Sequence, residues 1–154
     1  MERLFNEACD PKQLSPLTLA FVGDAAFELF VRERLVCLAN CPVKKLHQNA
    51  VAQVRCQAQA KFMELLMPIL TEEEIAVFKR GRNAKSVTMA KHATMIDYRM
   101  ATGFEALMGY LYLTEQFDRM AELLGKGLEQ MGELAEAEGT STDSHALQEA
   151  ENEK

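Results

Sequence analysis

No segment of this chain alternates strictly between apolar and polar residues, so half-buried strands are excluded. No apolar run is long enough to cross a bilayer without meeting a charge. The opening residues, MERLFNEACDPK, lack the basic-then-apolar order of a secretory leader, and a cytoplasmic location is expected. The four cysteines (Cys9, Cys37, Cys41 and Cys56) contain no C-x-x-C pair, so reduced thiols are expected rather than disulfides. Cys37, Cys41 and His47 have a spacing zinc could accept, but no second ligand pair follows, and free cysteine ordinarily packs as a small apolar residue. His47 and His92 form no triad, no serine lies in a nucleophile elbow, and no internal repeat is found.

What is present is one domain of all-α type within 154 residues, its apolar segments long and rich in Leu, Ala and Met. The formal net charge is −6, but it is unevenly distributed. The stretch 129–154 holds eight acids and one base, while everything before Glu129 is close to neutral. Between Lys79 and Arg99 lie six Lys or Arg residues against the single acid Asp97. The folded body can therefore present a basic patch to a polyanion although the whole chain is acidic.

Residues 1–14 show no periodicity and read as a lead-in to a domain over 15–136. Ser15 followed by Pro16 is a helix start, and the helix runs to about Val36. A second helix is expected from Val43 to about Leu66, where Pro68 stops it. Thr71 with Glu74 forms a capping box for a third, expected to end near Gly81 as a left-handed cap. Residues 82–95, RNAKSVTMAKHATM, read as a functional loop. Helices follow over about Ile96–Leu113 and Glu115–Ala135, and the acidic stretch 137–154 reads as disordered.

Two acids stand out. Asp24, one residue after Gly23, sits in a helix that reads as apolar all round, and Glu105 sits among Phe104, Ala106, Leu107 and Met108. A buried ionised carboxylate must be protonated, paired or holding a cation. If the two helices cross, a proton or a cation must lie between like charges. Oxygen ligands of this kind suit magnesium, which keeps several waters and takes one or two carboxylates. Set beside a basic loop, they outline metal-assisted phosphodiester hydrolysis. Glu28 lies one turn beyond Asp24 but is better placed to pair with Arg32.

LAFVGDAAFEL resembles the signature helix of the ribonuclease III catalytic domain, and FEALMGYLYL resembles its second signature. KRGRNAKS is similar to the loop of the family's small member, Mini-ribonuclease III, which has no double-stranded-RNA-binding domain. The resemblance covers about Leu17 to Leu124. It implies that Asp24 and Glu105 are catalytic and hold Mg2+. Two further acids usual in the family are replaced here by Ala20 and Thr102, which puts the number of metal ions in question. It further implies a homodimer with a shared valley for duplex RNA, and hydrolysis leaving a 5′-phosphate and a 3′-hydroxyl. In bacteria the expected role is maturation of 23S ribosomal RNA precursor, with a ribosomal-protein partner left open.

Duplex RNA is recognised mostly by shape and backbone. Arg80, Arg82, Asn83 and Lys85 are the first candidates for those contacts, with Lys79, Lys91 and His92 behind them. The alternative is a non-catalytic RNA-binding ribosome-assembly factor on the same fold.

Overall fold

The protein was analysed as a computed structural model that describes residues 2–85 and 94–132. The described residues are helical throughout their regular structure, with no strand. The elements are α1 (Pro16–Leu38), α2 (Val43–Val54), α3 (Cys56–Leu66), α4 (Glu72–Asn83) and α5 (Met95–Leu113). A last helix, α6, covers residues 117–132. Lys91, His92 and the acidic stretch 137–154 lie outside the described residues.

The local start signals act as read. The Ser15 hydroxyl accepts the Thr18 N–H at 3.1 Å, opening α1. At α4 the box closes both ways: the Glu74 N–H donates to Thr71 Oγ1 at 3.2 Å, and the Thr71 N–H to Glu74 Oε2 at 2.8 Å. Glu74 is buried and also receives Arg119 of α6, whose Nε and Nη2 reach its two oxygens at 2.8 and 2.9 Å. The guanidinium holds the Glu74 carboxyl below its usual range and also donates to the Ile69 carbonyl at 2.8 Å. One charge pair thus fastens α6 to the start of α4.

Three expectations need correction. The single helix over 43–66 is two helices, broken at Arg55, whose φ of −62° and ψ of 153° are extended. No glycine or proline marks the break, and apolar residues continue through it. The Val54 carbonyl freed there accepts Gln59 Nε2 at 2.8 Å. A side chain of α3 thereby satisfies the end of α2. Second, Gly81 is not a left-handed cap. It lies inside α4, and no described glycine has positive φ. A Cβ there would come within 2.7 Å of Ala106 Cβ and 2.9 Å of Gly103 Cα, so its purpose is the close crossing of α4 and α5. Third, α1 is not buried all round: Phe21 is 82% and Leu29 61% exposed, and Asp24 shares that open side. The lead-in is also tied down, with Arg80 Nη2 donating to the Leu14 carbonyl at 3.1 Å.

α5 is the axis of the fold. α1, α3 and α4 all pack on it, and residues 101–111 are buried apart from a half-buried Glu105. Phe27 of α1 and Phe62 of α3 meet Phe104 of α5 with ring centroids 4.9 Å and 5.5 Å away. Both contacts are edge-on, the arrangement that the charge distribution of aromatic rings favours. The α1–α5 seam is closer still. A Cβ on Gly23 would sit 1.7 Å from the Glu105 carbonyl oxygen, and one on Gly109 would sit 1.9 Å from the Leu19 carbonyl oxygen. The two backbones touch, and side chains flanking the seam are forced together.

Candidate active site

Asp24 follows Gly23 directly, and Glu105 supplies the carbonyl against which Gly23 lies. The glycine seam therefore brings both acids to one helix crossing, where their carboxyls are close enough to shift each other's pKa. Two ionised carboxylates so close repel each other, and the environment favours a proton on the pair. Burial raises the Glu105 pKa to about 7, the Asp24 charge adds to the rise, and the polar Gln59 amide opposes it. Asp24 is exposed by surface area, yet loss of surrounding water raises its pKa as well. The neighbouring Glu28 charge adds to this, while the Glu105 carboxyl works in the other direction. Glu28 itself is engaged as expected, accepting Arg32 Nε at 3.0 Å.

The proton on this pair makes the stability of the protein depend on pH with a definite sign. Glu105 is raised from about 4.5 when unfolded to about 7 when folded. Its contribution is complete below pH 4.5 and is lost as pH rises through 7. In chelator, the wild-type protein should therefore lose on the order of 2 kcal/mol between pH 5 and pH 8 relative to Glu105→Gln. Thermal melts of the two proteins across that range read it directly. A constant difference in melting temperature would mean that Glu105 ionises normally.

The positions vacated by the two acids usual in the family do not offer substitutes. Ala20 and Thr102 are each 6% exposed. The Thr102 hydroxyl donates to the Tyr98 carbonyl of its own helix at 2.9 Å. No cluster of three or more His, Cys, Asp or Glu residues with metal-ligand geometry occurs among the described residues. Two adjoining carboxyls, one of them open to solvent, still fit a hydrated magnesium ion, whose waters would fill the remaining positions. The ion would replace the shared proton as the charge between them.

The basic candidates stand on the last turn of α4 and just beyond it, not all in a loop: Arg82 and Asn83 are helical. Lys79, Arg80, Asn83 and Lys85 are exposed or nearly so, and Arg82 is half-buried with its guanidinium 5.6 Å from the Phe78 ring centre. Arg82 Nε also donates to Asn83 Oδ1 at 3.1 Å. Gly81 of this turn packs against Thr102, Gly103 and Ala106, on either side of Glu105 in the chain. Two residues at the site carry no signal in the sequence, where Gln59 reads as a polar spacer and Cys56 as a small apolar residue. The Cys56 thiol has a raised pKa, first from burial and then from the charges of Asp97 and Glu105, so it lies beside them. Only the helix break at Arg55, which the sequence does not signal, turns α3 so that both meet α5.

Comparison with known proteins agrees with this geometry. The Ribonuclease III domain matches residues 17–116. Mini-ribonuclease 3 of Enterococcus faecalis is 48% identical over 129 residues, covering 82% of this chain and 98% of that protein. Mini-ribonuclease 3 of Clostridium tetani is 43% identical over 136 residues, covering 88% of this chain and 90% of that protein. A crystallographically solved protein of Fusobacterium nucleatum superposes with a TM-score of 0.72 at 27% identity, over 80% of this chain and 99% of that one. With its all-helical core, its crossed signature helices and these relatives, the chain belongs to the ribonuclease III family of endoribonucleases, alongside the Mini-ribonuclease 3 proteins.

Proposed function

We propose that this endoribonuclease cleaves double-stranded RNA in a magnesium-dependent reaction, leaving a 5′-phosphate and a 3′-hydroxyl. It would act on 23S ribosomal RNA precursor in the cytoplasm. The juxtaposition of the Asp24 and Glu105 carboxyls at the α1–α5 seam is the observation that carries this reading. Magnesium bound there would supply Lewis acidity toward the scissile phosphate and toward water. The chain's own part is to hold two carboxyl oxygens at one point, to give up the shared proton, and to grip the backbone. Lys79, Arg80 and Lys85 are exposed for that grip, Asn83 stands beside them, and Arg82 is backed by Phe78. Lys91 and His92 extend the same basic run in the sequence.

A homodimer is supported by the open face of α1. Leu4, Phe21, Leu29 and Tyr112 line a depression of about 420 Å³ that also includes Asp24. Exposed large apolar side chains at i and i+8 on a core helix fit a second copy of the same helix. Association there would place two acid pairs on one surface, one for each strand of a duplex.

The test is a gel of a long RNA duplex and of its separated strands, incubated with the protein in magnesium or in chelator. Cleavage of the duplex alone, and only with magnesium, is the expected result. No cleavage, with retained duplex binding, would instead support a non-catalytic RNA-binding factor. That second reading is favoured by Ala20 and by the committed hydroxyl of Thr102.

A further inference from the structure

We infer that residues 3–9 of the lead-in form a strap, clasped by Arg3 and Glu115, that adds Leu4 and Phe5 to the open face of α1 on which a second copy of the chain docks. The strap presupposes the homodimer proposed above.

The clasp starts from an unusual turn. α5 closes with two bonds: the Gln116 N–H donates to the Leu111 carbonyl at 2.9 Å, and the Glu115 N–H to the Tyr112 carbonyl at 3.1 Å. This pair of bonds calls for a left-handed residue just past the helix, and glycine ordinarily supplies it. Here the residue is Glu115, whose φ of 58° is the one positive value at a non-glycine among the described residues. A side chain strains that conformation, which points to a role for what glycine lacks. Glycine lacks the carboxylate. Its Oε1 accepts the Arg3 backbone N–H at 3.3 Å and lies 3.9 Å from Arg3 Nε.

Arg3 then gathers the strap around itself. Its side chain is 15% exposed, Nη2 donates to the Glu7 carbonyl at 3.0 Å, and Nη1 lies 3.8 Å from Cys9 Sγ. Residues 3–9 are held this way although they form no helix or strand. Stability is a poor explanation, because an ion pair with a half-exposed acid contributes little. Arg3 Nε is moreover buried without a hydrogen-bond partner among the described residues. The fastening fixes where the segment lies.

What it fixes is Leu4, 91% exposed at the depression lined by Phe21, Leu29 and Tyr112. Area gives that exposure a meaning. Leu17, Phe21 and Leu29 share one face of α1, and at roughly 200 Å² for a large side chain they expose on the order of 350 Å². A stable interface buries about 800 Å² on each partner, so α1 alone falls short. Leu4 and the adjoining Phe5 expose about as much again. With them the face comes close to what two copies need, in an isologous contact to which each brings one strap.

The experiment follows the dimer dissociation constant of the full chain by sedimentation velocity, with a thermal melt of the dilute monomer so that association does not enter the melting temperature. Glu115→Gly keeps the turn, since glycine accepts its φ, and removes the clasp. The dissociation constant should rise about tenfold as the strap loses its preorganisation, while the monomer melts at the same temperature or higher. Leu4→Asp sets a charge into the apolar contact and should raise the constant on the order of 100-fold, again without changing the monomer melt. A constant unmoved by Glu115→Gly makes the carboxylate a local feature of the turn and overturns the proposal. A constant unmoved by Leu4→Asp overturns it equally. If wild type stays a single copy at every concentration, the homodimer reading itself fails and the strap with it. A wild-type dimer that both variants match removes the strap alone.

Discussion

Asp24→Asn should reduce cleavage of duplex RNA at saturating magnesium on the order of 10³-fold, about 4 kcal/mol of transition-state stabilisation. The change is nearly isosteric, and Asp24 lies on the exposed side of α1, so no core volume changes. An asparagine amide can still donate to Glu105, which keeps the local contact and relieves the repulsion between the two carboxyls. Thermal stability should therefore stay level or rise while activity disappears. Binding of duplex RNA, which we propose rests on the basic turn of α4, should change little. Single-turnover cleavage and a thermal melt on the same preparation separate the two effects. Cutting at the normal rate would remove Asp24 from the site.

Gly109→Ala should be among the most damaging single methyl groups that could be added to the described residues. The new Cβ would lie 1.9 Å from the Leu19 carbonyl oxygen and 2.7 Å from its carbon, and neither can rotate away because both are backbone. α1 would have to move off α5. Alanine in a helix gains about 1 kcal/mol over glycine by propensity, but overpacking of a rigid seam costs about 3 kcal/mol or more, so the clash wins. The melting temperature should fall by roughly 10 °C. Residual folded protein should cleave poorly, since displacing α1 separates Asp24 from Glu105. Gly125→Ala is the matched control: its Cβ would meet nothing within 4 Å, so propensity alone acts and stability should rise slightly. Equal effects at the two positions would show that the seam is not tight.

The contrast between those two glycines indicates how much of the fold is legible in the chain. Caps at Ser15 and Thr71 are legible because their chemistry is complete within four residues. The pairing of Asp24 with Glu105 is legible only on the condition that their helices cross, and Asp24 itself faces solvent rather than the buried setting its apolar neighbours imply. Gly23 and Gly109 are legible as places of close approach. Arg55 is not, because the break depends on how α3 must lie against α5 and no turn-forming residue announces it. Gly81 misleads for the opposite reason, a glycine near a helix end resembling a cap when its function is to let α5 pass. Gln59 is invisible because its partner, the Val54 carbonyl, is freed only by that unannounced break.

Contact between main chains, unlike contact between side chains, does not depend on which apolar residues happen to fill a core. The seam at Gly23 and Gly109 therefore anchors the register of the two acids independently of Phe27, Phe62 and Phe104. Those rings could be exchanged for other shapes, and the protein made sturdier or weaker, with the spacing of its two carboxyls left intact. Tolerance to sequence drift in the interior and constancy of the acid pair are consequently served by separate parts of the same helix crossing.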